Sequence, residues 1–172
     1  MICMDAPSLR LVRLVFILTK GEMSLDTYPH PLAYRHVDVF SKVPFSGNGL
    51  TVFPESQQLS AGLMQRITQE MRQFESIFLS VPDSSSLVKA SIFTLEEELE
   101  FAGHPVLGAA CVLHEQRAVS RQEATWQFQL KAGVIPVTTR KREGWYSATM
   151  DQGRPTFAQL PPRRSSIRYW RR

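Results

Sequence analysis

The chain has 172 residues, 43% hydrophobic and 21% charged, which suits one globular domain and excludes wholesale disorder and collagen-like repeats. Cys3 and Cys111 are too few for a disulfide framework or a Cys-rich zinc site. The net charge of +4 is unevenly placed: residues 1–33 are neutral overall, 34–157 carry −1 and 158–172 carry +5.

Residues 1–33 read as a poorly ordered N-terminal extension with at most a short helix over 8–18, and Met23 is a second candidate start. The apolar run Leu14-Val15-Phe16-Ile17-Leu18 falls short of the about 20 residues of a spanning helix and of the about 7–15 of a signal-peptide core. A cytoplasmic protein without membrane contact is the default expectation.

From residue 34 to 157 the chain is patterned throughout. Tyr34–Phe40 reads as a strand. Pro44-Phe45-Ser46-Gly47-Asn48-Gly49 is a turn or an anion-binding backbone nest, and Leu50–Phe53 is a second strand. Ser60 is a candidate N-cap for a helix over 61–73, whose Leu63, Ile67, Met71 and Phe74 form one stripe. Ser76–Val81 and Leu87–Phe93 read as strands around the loop Pro82–Ser86.

Pro105 to Leu113 contains no charged or amide side chain. A helix apolar on every side must be buried on every side. Trp126, Phe128 and Leu130 alternate with polar neighbours, Gly133 marks a turn, and Val134–Thr139 and Trp145–Met150 complete an antiparallel set. Pro136 predicts an edge or a bulge. The expected class is α+β: a strongly curved sheet wrapped around a central buried helix.

The last stretch, 158–172, reads as a basic disordered tail. It could bind any polyanion, but no stacking platform or recognition motif accompanies it, so nucleic acid is not an expected partner.

Two spots could carry chemistry. In Phe101-Ala102-Gly103-His104-Pro105 the proline suits the start of a helix and puts His104 at or near the N-cap. The helix dipole there favours an anion and a neutral imidazole; a purely capping histidine is the plainer alternative. Glu75 lies among Phe74, Ile77 and Phe78, where desolvation would raise its pKa as a general acid/base requires, unless it is a surface residue at a helix end. Glu96, Glu97, Glu98 and Glu100 read as a solvated face rather than a metal site. Cys111 reads as a packed thiol. His30, His36 and His114 lack metal-ligand spacing.

These pieces together resemble the PhzF-like (phenazine biosynthesis) family of isomerases, relatives of diaminopimelate epimerase. The run starts at His36-Val37-Asp38-Val39-Phe40 and continues through Pro44–Asn48, Leu59-Ser60, Met64-Gln65-Arg66-Ile67, Glu70 and Glu75-Ser76-Ile77-Phe78. It then takes in Phe93-Thr94, Glu98-Leu99 and Phe101–Ala110, and fades at Met150–Pro155.

The resemblance implies two such α+β domains with the active site between them, of which 34–157 would be the N-terminal one. It implies catalytic roles for Glu75 and His104, substrate contacts from Gly47, Asn48, Ser76 and Gly103, no cofactor, no metal and a small-molecule substrate. Gln73-Phe74, Gly49 and Leu95 depart from the family pattern of Asn-Ser, Pro and Pro. No second-domain Asp-Pro…Gly-Ser motif follows residue 157, and the tail resembles a misread or truncated end. A lone half is therefore expected to turn over poorly and to associate, most simply as a homodimer.

Overall fold

In the computed structural model the described residues are 32–43, 45–81 and 87–151, with the backbone of Ile2–Cys3 and Arg10–Val12. The basic tail and most of the N-terminal extension, with His30 and Met23, lie outside the described residues.

The strands are β1 (Ile2–Cys3), β2 (Arg10–Val12), β3 (Leu32–Val39), β4 (Asn48–Phe53), β5 (Ser76–Ser80), β6 (Leu87–Phe93), β7 (Glu98–Leu99), β8 (Glu123–Leu130), β9 (Gly133–Arg142) and β10 (Trp145–Met150). The helices are α1 (Ala61–Met71) and α2 (Gly103–Arg117). At Arg10–Val12 the chain pairs with β3 as a strand, where the sequence predicts a short helix over 8–18; the β-branched and apolar run accepts either period when a sheet edge is at hand.

One sheet runs β10-β9-β8-β6-β5-β4-β3, and β1 pairs with both β10 and β3. The sheet thus curls round and closes on α2. Along β4, Leu50 and Val52 join the cluster around α2 while Phe53 joins the one under α1; along β5, Ile77 and Leu79 face α2 while Phe78 faces α1. This is the period-two alternation of a sheet packed on both faces.

Val106, Ala109, Ala110, Val112 and Leu113 are wholly buried, and each large apolar side chain so enclosed contributes about 1.5–3 kcal/mol. Gly108 shows how closely helix and sheet approach: a Cβ there would lie 2.6 Å from Leu50 Cδ2 and 3.0 Å from Val39 Cγ2. Cys111 is packed inside the same helix, where burial pushes its thiol up to about 12, so it is an inert core residue.

Ser60 caps α1, its hydroxyl accepting the Leu63 N–H at 3.4 Å. Leu63 and Ile67 are buried, but Phe74 lies beyond the helix and is 86% exposed; Arg72 ends α1 in the left-handed region, and the turn carries Phe74 off the stripe. Pro136 sits where the pairing of β9 with β10 stops, just past Val137–Met150, so its missing N–H removes no ladder bond on that side.

Candidate active site

Glu75 occupies the joint between α1 and β5. Strand alternation sends its side chain the same way as Ile77 and Leu79, towards α2. His104 is the second residue of α2. The N-cap is Ala102, in extended conformation and without a side-chain cap. His104 thus lies near the N-cap, while Pro105, expected at the first helical place, takes the third after Gly103, where a missing N–H also costs nothing.

His104 Nε2 and Glu75 Oε2 stand 3.5 Å apart, with side chains 16% and 19% exposed. Both atoms are buried, and neither has a hydrogen-bond partner among the described residues. Burial holds the His104 imidazole below its usual value, with the Glu75 carboxylate opposing that shift; the neutral ring is favoured near pH 7. The first-turn amides of α2 are uncapped beside this pair, a setting that attracts an anion.

Residues 40–43 and 45–47, between β3 and β4, border the pair through Phe40. Phe40 has φ 68° and Phe45 φ 64°, a backbone region costly for bulky residues. The Phe40 ring lies 6.5 Å from that of His104. The loop is held by its own bonds: Ser41 Oγ donates to Val43 O at 2.9 Å, Ser46 Oγ donates to Val43 O at 2.7 Å, and the Phe45 N–H donates to Asp38. Gly47 is obligatory, because a Cβ would collide with the Val39 carbonyl. Asn48, exposed, opens β4 opposite Val39. Gln73 packs against the other side of β4, its Oε1 3.0 Å from where a Gly49 Cβ would be.

Of the six residues singled out from the sequence, Glu75, Gly103 and His104 come together at the start of α2. Gly47 and Asn48 lie on the loop whose Phe40 ring flanks His104. Ser76 differs: its side chain shares the α1 face with Phe78, fully buried, and its Oγ has no hydrogen-bond partner. Only its backbone borders Glu75. Phe40 was not singled out as a site residue, and a phenylalanine ending a strand gives no signal of it; the positive φ that turns its ring to His104 is a property of the closed loop. Among the acidic run, Glu98 pairs with Lys131 at 2.6 Å, while Glu96 and Glu97 are exposed.

The profile of the phenazine biosynthesis-like protein family matches residues 37–169. The chain belongs to this family. It is 41% identical over 138 residues to a Pasteurella multocida protein described as an uncharacterized isomerase, covering 76% of this chain and 47% of that one. It is 36% identical over 132 residues to the trans-2,3-dihydro-3-hydroxyanthranilate isomerase of Pseudomonas chlororaphis, covering 74% and 45%. Among solved structures, a predicted epimerase of Pseudomonas aeruginosa superimposes with a TM-score of 0.69 at 44% identity, over 74% of this chain and 45% of that one. The chain therefore spans about half the length of the relatives it matches. The α+β fold, with a curved sheet around a central helix, is that of the PhzF family. No helix among the described residues is long and apolar enough to cross a membrane.

Proposed function

We propose that this chain carries the acid/base machinery of a cofactor-independent, cytoplasmic PhzF-type isomerase that moves a proton between carbon atoms of a small amino-acid-like or cyclic metabolite. The observation that supports this most is the Glu75–His104 pair: two buried polar atoms, 3.5 Å apart and without hydrogen-bond partners, at an uncapped helix start. Orphaned buried polar atoms are destabilising by about 1–3 kcal/mol each, and a substrate would supply their missing partners.

In this reading the Glu75 carboxylate takes a proton from one substrate carbon, and the C–H electron pair moves into the adjoining π system. The same carboxyl then returns the proton to a second carbon. Atoms and charge balance without a metal. Neutral His104 orients Glu75 and the substrate. The α2 amides beginning at Gly103 take a substrate carboxylate, and Gly47, Asn48 and the Ser76 backbone border it. By kinship with diaminopimelate epimerase, residues 34–157 are the N-terminal one of two domains that close on the substrate.

The test is solvent-deuterium incorporation into trans-2,3-dihydro-3-hydroxyanthranilate, followed by NMR. Incorporation that disappears in Glu75→Gln is the expected result. Incorporation at an equal rate in that variant refutes the reading.

One observation favours a second reading, a non-catalytic chain acting through association. Phe40, Val43, Phe45 and Phe74 expose large apolar side chains around the Glu75–His104 end, Phe45 being 98% exposed. Such a rim favours a homodimer or a heteromeric partner. Sedimentation of the chain as a monomer at high concentration counts against it.

A further inference from the structure

Glu75 and His104 arrive from separate segments. Glu75 follows α1, and His104 follows the stretch 94–102 that leaves β6. Ser76 pairs with Phe93, so Glu75 and Thr94 are the free extensions of two paired strand ends. What joins α1 to the stretch beyond β6 is a pair of side-chain amides. Gln65 Nε2 donates to the Thr94 carbonyl at 2.8 Å, and Gln69 Nε2 donates to the Leu95 carbonyl at 2.9 Å. Four positions apart, the two glutamines share a helix face and meet consecutive carbonyls.

The turn that receives them is rigid. Thr94 Oγ1 accepts the N–H groups of Glu96 and Glu97 at 3.1 Å, and the Thr94 N–H donates to the Glu97 carbonyl at 2.8 Å. The far side of the stretch is tied down as well, by Lys131 to Glu98 at 2.6 Å and by the Ala132 N–H to the Glu100 carbonyl at 3.2 Å. The chain running into His104 is thus anchored by α1, by the pairing of β7 with β6 and by the turn after β8, and the first of these anchors is the helix that runs into Glu75. Gln69 is exposed and Gln65 half-buried, and an exposed hydrogen bond adds little to stability, so the main effect of the Gln69 bond is on position.

We infer that Gln65 and Gln69 are positioning residues: through the Thr94 and Leu95 carbonyls they set the separation of His104 from Glu75. The inference rests on the acid/base reading of that pair. Neither glutamine lies among the groups placed at the substrate.

The test uses the full chain in three forms: wild type, Gln65→Ala/Gln69→Ala, and Gln65→Lys/Gln69→Lys, which keeps an N–H donor at both positions. The first readout is the NMR titration of the His104 imidazole, which needs no turnover. In the double alanine variant the ring is expected to titrate higher, towards the usual imidazole value, as it loses burial. The second is deuterium incorporation into trans-2,3-dihydro-3-hydroxyanthranilate, expected to fall about tenfold or more in kcat with KM held and to recover in the double lysine variant. An unchanged His104 titration with unchanged incorporation overturns the inference. So does a loss that tracks a lowered melting temperature and is not rescued by lysine. If wild-type incorporation proves independent of Glu75, the isomerase reading falls, while the His104 titration still decides the role of the glutamines.

Discussion

One helix carries two histidines in opposite circumstances. At the C-terminal end of α2, His114 is wholly buried and both ring nitrogens are engaged. Nδ1 meets Thr139 Oγ1 at 2.7 Å, and Nε2 donates to the Arg121 carbonyl at 3.0 Å. Trp126 Nε1 donates to the same threonine at 3.2 Å, and the His114 ring packs against Tyr146 with centroids 4.9 Å apart. At the N-terminal end, His104 Nε2 and its neighbour Glu75 Oε2 are buried without hydrogen-bond partners. A satisfied buried network fastens a fold. An unsatisfied one costs stability and calls for an explanation, which at this end the proposed substrate supplies. The far end of α2 is an anchor, and the near end is where the proposed reading places the substrate.

The largest effect that could break this contrast is on chemistry. Glu75→Gln should lower deuterium incorporation about 10²–10⁴-fold with no loss of stability in urea unfolding, since it removes the charge from a buried carboxylate that lacks a hydrogen-bond partner. A loss of stability matching the loss of exchange would mean that the near end is an anchor too. His114→Ala should do the reverse. Stripping two buried hydrogen bonds and opening a cavity should cost about 2–4 kcal/mol in urea unfolding, and a cost under about 1 kcal/mol would remove the distinction from the other side.

Gly47→Ala tests whether the rim is built or incidental. The added Cβ meets the Val39 carbonyl, and the expected destabilisation is about 1–3 kcal/mol; an alanine accepted without cost would show a loop free to move. The smallest effect concerns pH. Because burial lowers the folded-state pKa of His104, the unfolded chain binds more protons just below about pH 6.5, and stability should fall as pH drops through that window. His104→Gln should flatten that part of a urea-midpoint profile. An unaltered slope would mean that the ring is hydrated in the folded chain.

Much of this was legible in the sequence because it rests on local pattern. The strands Leu87–Phe93 and Trp145–Met150 lie where alternation places them, and the Ser60 cap starts α1. The uninterrupted apolar stretch at 105–113 already required a helix enclosed on all sides, and the fold provides one. The residue pairs Glu75-Ser76 and Gly103-His104 were visible as motifs as well. Three features depend on partners distant in sequence, and local pattern says nothing of those. Ser76 turns its hydroxyl away from Glu75 because strand alternation assigns it to the α1 face. Phe40 faces His104 because its loop closes through Ser41, Ser46 and Asp38 in a left-handed backbone. Gln65 and Gln69 reach the stretch before His104 because β5 and β6 bring α1 alongside it.

By itself the sequence determined the period of the elements from β3 onward, the Ser60 cap and the need to surround one apolar helix, since these follow from hydrophobicity and backbone sterics over a few neighbouring residues. Only the tertiary structure decided which polar atoms ended up buried without partners. That outcome depends on how closely separate segments approach: Glu75 at the start of β5 meets His104 only because the curled sheet encloses α2.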